Sequence, residues 1–161
     1  GWTLDKATVL LVGGGEGMGP LEETADAIDK SGLDVNLVIV TGRNAKLKAD
    51  LEARTWDNPV YVYGFTKDMP DFMRAADVLV TKAGPGTLTE AMIASLPIIL
   101  YSKLPGQEDG NVRFVESVGA GVWAGKATAP VSANSRAAAA VRFMLRPPRF
   151  RPRGPSRRPL P

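Results

Sequence analysis

Residues 10–28 read "LLVGGGEGMGPLEETADAI". The first three residues close an apolar run that begins at Ala7, and five of the next seven are glycine. Beyond the glycines, Leu21, Ala25 and Ile28 recur at helical spacing, and Glu22, Glu23 and Asp26 strengthen the first turns against the helix dipole. The stretch therefore predicts a strand, a tight glycine turn and a helix. A run such as "ATVLLV" is apolar at successive positions, so both faces of its strand are buried.

The same alternation continues along the chain. Apolar runs at 34–40, 60–64, 77–80, 97–101 and 121–124 predict further strands. Helical patterns fall at 44–55, 67–75, 87–95, 109–118 and 133–146. Strands that alternate with helices and are buried on both faces imply right-handed βαβ units. The expected fold class is a Rossmann-like α/β domain over residues 1–146, a parallel sheet with helices on both faces. Residues 147–161, "PPRFRPRGPSRRPLP", hold six prolines and five arginines and predict a disordered tail outside the core. That tail reads as solvated, or as a polybasic segment attracted to an anionic membrane surface.

Composition narrows the chemistry. The 161 residues include no cysteine and no histidine, so disulfides, thiolate nucleophiles and the commonest general base are excluded. No apolar run approaches the eighteen residues of a membrane span. The N-terminus lacks a signal-like or transit-like pattern, and its start at Gly1, almost in a strand, suggests a fragment or processed chain. The charge is unevenly placed: through Glu116, 11 Lys and Arg oppose 17 Asp and Glu, and the nine basic residues beyond restore the overall +3. An acidic folded part without a basic, aromatic stripe argues against nucleic acid as a partner.

Two glycine turns are candidate sites. The first, at 13–19, lacks the Lys of a P-loop. It also fails the dinucleotide fingerprint, because Met18 or Pro20 occupies the sixth position and the second strand ends in "VTGRN" without an acid. It either cradles a phosphate or merely connects strand to helix. The second turn lies in "AGPGTLTEA" at 83–91. Thr87 and Glu90 are spaced as a capping box. Alternatively, the helix start holds a diphosphate and Glu90 accepts from two ribose hydroxyls. Both turns are expected at the carboxyl ends of parallel strands, where open α/β sheets bind ligands. A third segment, "LPGQEDGNVRF" at 104–114, gathers Gln107, Glu108 and Asn111, a set suited to sugar hydroxyls. Its other reading is a polar loop in which Asp109 or Asn111 caps the next helix.

Together, "GGGEGMGP", "TGRN", "GF" at 64–65, "TKAGPGTLTEAM" and "LPIILYSKLPGQEDGN" resemble the C-terminal half of the monogalactosyldiacylglycerol synthases. Their glycosyltransferase family also includes the bacterial GlcNAc transferase of peptidoglycan synthesis. The resemblance spans residues 7 to 124 and implies the C-terminal, UDP-sugar-binding half of a GT-B enzyme. Plant members transfer galactose from UDP-galactose to diacylglycerol, with inversion, at plastid envelope membranes; otherwise the cytosolic face of a membrane is expected. By motif, Gly14, Gly15 and Glu16 belong to the loop facing the diphosphate. Gly84, Gly86 and Thr87 match the phosphate turn, and Glu90 matches the ribose acid. The backbone at Gly64 and Phe65 resembles the uracil segment, and Gln107, Glu108 and Asn111 resemble the hexose motif.

The resemblance implies no cofactor and no metal, with UDP-galactose as donor substrate. The diacylglycerol acceptor and the catalytic base would belong to an N-terminal domain that these residues do not include. Two alternatives have different consequences. One is a sugar-nucleotide-binding subunit of a two-chain GlcNAc transferase; the other is a non-catalytic UDP-binding module.

Overall fold

In a computed structural model of the chain, residues 2–3, 5–15, 20–125 and 133–145 are described. The elements alternate as the apolar pattern predicts. They are β1 Ala7–Val12, α1 Leu21–Asp29, β2 Val35–Val40, α2 Ala45–Glu52, β3 Val60–Tyr63 and α3 Met69–Ala75. They continue with β4 Val78–Lys82, α4 Pro85–Ile93, β5 Ile98–Ser102, α5 Asp109–Ser117, β6 Gly121–Trp123 and α6 Ala133–Met144. The predicted tail lies outside the described residues.

All six strands are parallel, in the order β3-β2-β1-β4-β5-β6. Every residue of β2 is buried, as are Val9 to Val12 of β1. The alternation within each strand feeds two cores. Val9, Leu11, Leu37, Ile39, Val78, Val80 and Tyr101 pack with Leu21, Ala25 and Ile28 of α1, Leu51 of α2 and Val141 of α6. On the other face Leu10, Val38, Leu79, Ile98 and Leu100 pack with Met73 of α3, Leu88 and Ala91 of α4, and Val112 and Val115 of α5.

Polar clamps finish the amino-terminal edge of the sheet. Asn36, fully buried, accepts from the Thr3 hydroxyl at 2.6 Å and donates to the Thr3 carbonyl at 2.7 Å. Asp29 accepts from the backbone amides of Asp57 and Asn58 at 3.1 and 2.9 Å. These bonds satisfy polar groups that would otherwise be costly to bury. A shallow depression near them is lined by Asp29, Lys30, Gly32, Leu33, Asp34, Asp57 and Asn58. Because Asp29 is already consumed there, the depression is part of this clamp.

β4 and β5 pair with a shift. Thr81 faces Leu100 and Lys82 faces Ser102, so Tyr101 is the extra residue of a bulge. Its side chain is only 2% exposed, and its hydroxyl has no hydrogen-bond partner among the described residues. Burial raises the phenol's pKa well above its ordinary value, and the charge of Glu23 adds to the rise. An unsatisfied buried hydroxyl costs about 1–3 kcal/mol, so Tyr101→Phe should stabilise the fold by about 1 kcal/mol at neutral pH. Because the folded pKa is raised, wild-type stability attributable to this group is full below about pH 10 and is lost as pH climbs beyond it. Denaturant melts of both proteins at neutral and alkaline pH check this: the variant should gain at neutral pH and gain more in alkali. A less stable variant at neutral pH would mean that the hydroxyl is bonded.

Candidate functional site

Five loops leave the carboxyl ends of β1 to β5. Pairing of β1 with β4 brings the turn after Val12 beside the turn after Lys82. Beneath them the buried Thr81 hydroxyl donates to the Val12 carbonyl at 3.2 Å and ties the two strand ends together. The sequence-predicted glycine turns are thus neighbours.

The first turn is fixed by backbone contacts. The Gly13 amide donates to the Val40 carbonyl at 3.2 Å, and the Arg43 amide donates to the Gly15 carbonyl at 2.8 Å. Gly14 has φ +77 and Gly42 φ +61, in the left-handed region that favours glycine. A Cβ on Gly42 would lie 2.6 Å from the Gly14 carbonyl oxygen and would run into the Gly15 carbonyl. Gly42 therefore lets the β2–α2 turn close against the first glycine turn. Glu16 lies outside the described residues.

The second turn differs from the spacing's expectation. Helix α4 begins at Pro85, two residues before Thr87, with Gly84 as its N-cap. Proline suits the first helical position because its missing N–H is unpaired there anyway. Thr87 therefore sits inside the first turn and no capping box forms. Among the described residues neither Thr87 nor Glu90 makes a side-chain hydrogen bond, and Glu90 is exposed. Gly86 has nothing within 4 Å of the place a Cβ would occupy. The helix start is open, with its unpaired N–H groups supplying partial positive charge.

The third segment is tied to the second turn. Asn111 donates from Nδ2 to the Ala83 carbonyl at 2.8 Å. Glu108 is 6% exposed; its Oε2 accepts from the Leu104 amide at 2.8 Å, and its Oε1 lies 3.8 Å from a Cβ built on Gly84. Asp109 accepts from the Gly106 amide at 2.9 Å and pairs with Lys103. Those two contacts hold its carboxyl below the usual carboxylate range, Lys103 contributing most. Neither Asp109 nor Asn111 caps α5, whose N-cap position is Glu108. Gln107 is exposed at the rim of this loop.

Gly64 and Phe65 follow β3, one strand beyond β2. A Cβ on Gly64 would be 3.6 Å from the Gly42 carbonyl oxygen, so this turn adjoins the β2–α2 turn. Phe65 is 60% exposed, with the Arg43 guanidinium 4.9 Å above its ring. The loops after β1, β2 and β3 thus form one rim, and those after β4 and β5 the other. Residues carrying no role in the sequence patterns also appear here: Arg43 over Phe65, and Lys82 against both glycine turns. The signal for Lys82 was its place immediately before the second glycine turn. Among the described residues no group of three or more Asp or Glu is placed to hold a metal ion.

Comparison with known proteins agrees with this arrangement. Residues 8–132 match the glycosyltransferase family 28 C-terminal domain. Monogalactosyldiacylglycerol synthase 2, chloroplastic, of Arabidopsis thaliana is 50% identical over 126 residues, covering 74% of this chain and 27% of that protein. The chain thus spans about a quarter of that relative's length. Among solved structures, Acinetobacter baumannii MurG superposes with a TM-score of 0.66 at 20% identity, covering 88% of this chain and 42% of that one. Os79 of O. sativa, solved in complex with UDP, gives 0.61 at 16% identity, covering 86% and 32%. These structural likenesses fix the fold as that of GT-B C-terminal domains. With its two glycine turns side by side at the carboxyl edge of the sheet and this family's pattern along residues 8–132, the chain belongs to glycosyltransferase family 28, as a C-terminal domain.

Proposed function

We propose that this domain binds UDP-galactose and that the protein it serves transfers galactose to diacylglycerol with inversion. The observation that carries the reading is the open start of α4 beside the first glycine turn, at the point where strand order reverses. There Gly14, Gly15, Gly84, Gly86 and Thr87 face the diphosphate, with Glu16 on the same loop. The Glu90 carboxylate, unpaired among the described residues, accepts from the ribose hydroxyls. The turn at Gly64 and Phe65 receives uracil, and the loop of Gln107, Glu108 and Asn111 receives the hexose. Glu108 and Asn111 each spend one polar atom holding that loop, leaving Glu108 Oε1 and Asn111 Oδ1 for sugar hydroxyls.

Helix N-termini stabilise the charge that develops on a departing UDP. The acceptor and the base are supplied from outside these 161 residues, which contain no histidine. The Arabidopsis relative is a chloroplastic protein, which supports a plastid setting, and we place the reaction at the envelope membrane. No helix among the described residues is long and apolar enough to cross a membrane.

The purified 161-residue chain should bind UDP yet form no galactolipid from UDP-galactose and diacylglycerol vesicles. Radiolabel transfer to lipid by this chain alone would contradict that division of labour.

Glu90→Gln separates ribose recognition from a role in folding. With no cap bond to lose, the variant should melt as wild type does. Exchanging a charged acceptor for an amide weakens such bonds by about 1.5–3 kcal/mol, roughly a ten- to hundredfold loss of UDP affinity. Calorimetry with 2′,3′-dideoxy-UDP should find little further loss. Equal losses for both nucleotides would remove Glu90 from the ribose site.

A further inference from the structure

Lys82 ends β4 at the bulge and by alternation shares the face of Val78 and Val80. Bulges beside sites commonly re-aim a side chain, and here the lysine meets both glycine turns. Its Cε lies 2.6 Å and its Nζ 3.3 Å from a Cβ built on Gly14, and the Cε lies 3.8 Å from one built on Gly84. A Cβ at position 14 would push the end of this flexible side chain aside, and φ +77 there independently favours glycine. Among the described residues the ammonium has no ion pair or hydrogen bond, whereas Lys6, Lys48 and Lys103 are each paired with a carboxylate. The residue is partly exposed, at the edge where a ligand seated on the turns would lie.

A nucleoside diphosphate brings negative charge to a domain that, through Glu116, carries 17 acidic against 11 basic residues. Backbone N–H groups and a helix start offer only partial charges. A lysine supplies a full, compact charge with three donors on a stem that reaches oxygens in several directions. Arg43 is stacked over Phe65 and approaches the first turn alone, its Nη1 3.9 Å from a Cβ built on Gly15, whereas Lys82 approaches both turns.

We propose that Lys82 is a diphosphate-binding residue whose ammonium bridges the phosphate oxygens held between the two glycine turns. The inference rests on the nucleotide reading above and adds a residue to it. Titration calorimetry on the 161-residue chain with UDP and with uridine tests it.

Lys82→Met should lower UDP affinity about tenfold or more, the worth of one charge-assisted bond, while uridine affinity changes by less than about twofold. Lys82→Arg, which keeps the charge, should retain most of the UDP affinity. Unchanged UDP binding by Lys82→Met, or equal losses for UDP and uridine, would overturn the proposal. Failure of the wild-type chain to bind UDP at all is a different result and would overturn the nucleotide reading itself. A second measurement needs no variant. Acetylation of Lys82 in the wild-type chain, read by mass spectrometry, should be slowed by UDP and not by uridine. Acetylation at the same rate with and without saturating UDP would equally overturn the proposal.

Discussion

The pairing of β1 with β4 is the constraint on which the site depends. Val9 to Val12 of β1 lie beside Val78 to Thr81 of β4, and from that seam the strand order runs outward in opposite directions. The helices after these two strands leave toward opposite faces, since α1 joins one core and α4 the other. A crevice opens where they part, as open α/β sheets generally provide for ligands. The hydrogen bond from Thr81 to the Val12 carbonyl closes the seam just below that crevice. Without this pairing the two glycine turns would be unrelated loops.

The rims of the crevice are preorganised by short-range contacts. Gly42 and the Arg43 amide lock the first glycine turn against the β2–α2 turn. Asn111 binds the β5–α5 loop to the second turn from the other side, and Glu108 closes that loop on itself through the Leu104 amide. These bonds are local and use backbone partners, so each loop's position follows from the sheet rather than from a long flexible arm. A site held in this way orders little on binding, which keeps the entropic cost of recognition low.

Much of this was legible in the sequence, for identifiable reasons. Strands buried on both faces have continuous apolar runs such as "ATVLLV", and the glycines that follow mark turns, so the six strands and six helices emerge from spacing alone. The strand order does not, because it depends on which side chains from distant segments fill each core. The capping-box expectation at Thr87 and Glu90 failed because Pro85 starts the helix a half-turn earlier, leaving both side chains without cap partners among the described residues. The local signal at Lys82, its place immediately before the second glycine turn, assigned it no role. A lysine at a strand end resembles any solvated terminus until the bulge at Tyr101 and the approach of Gly14 give it a place.

The central claim is that a nucleotide occupies the crevice between the β1 and β4 turns. Amide chemical-shift mapping of the 15N-labelled chain during titration with UDP tests it most directly. The account predicts the largest perturbations at Gly14, Gly15, Gly84, Gly86 and Thr87, with smaller ones at Gly64 and Phe65. Perturbations centred instead on Asp29, Gly32, Asp57 and Asn58, at the opposite edge of the sheet, would contradict it.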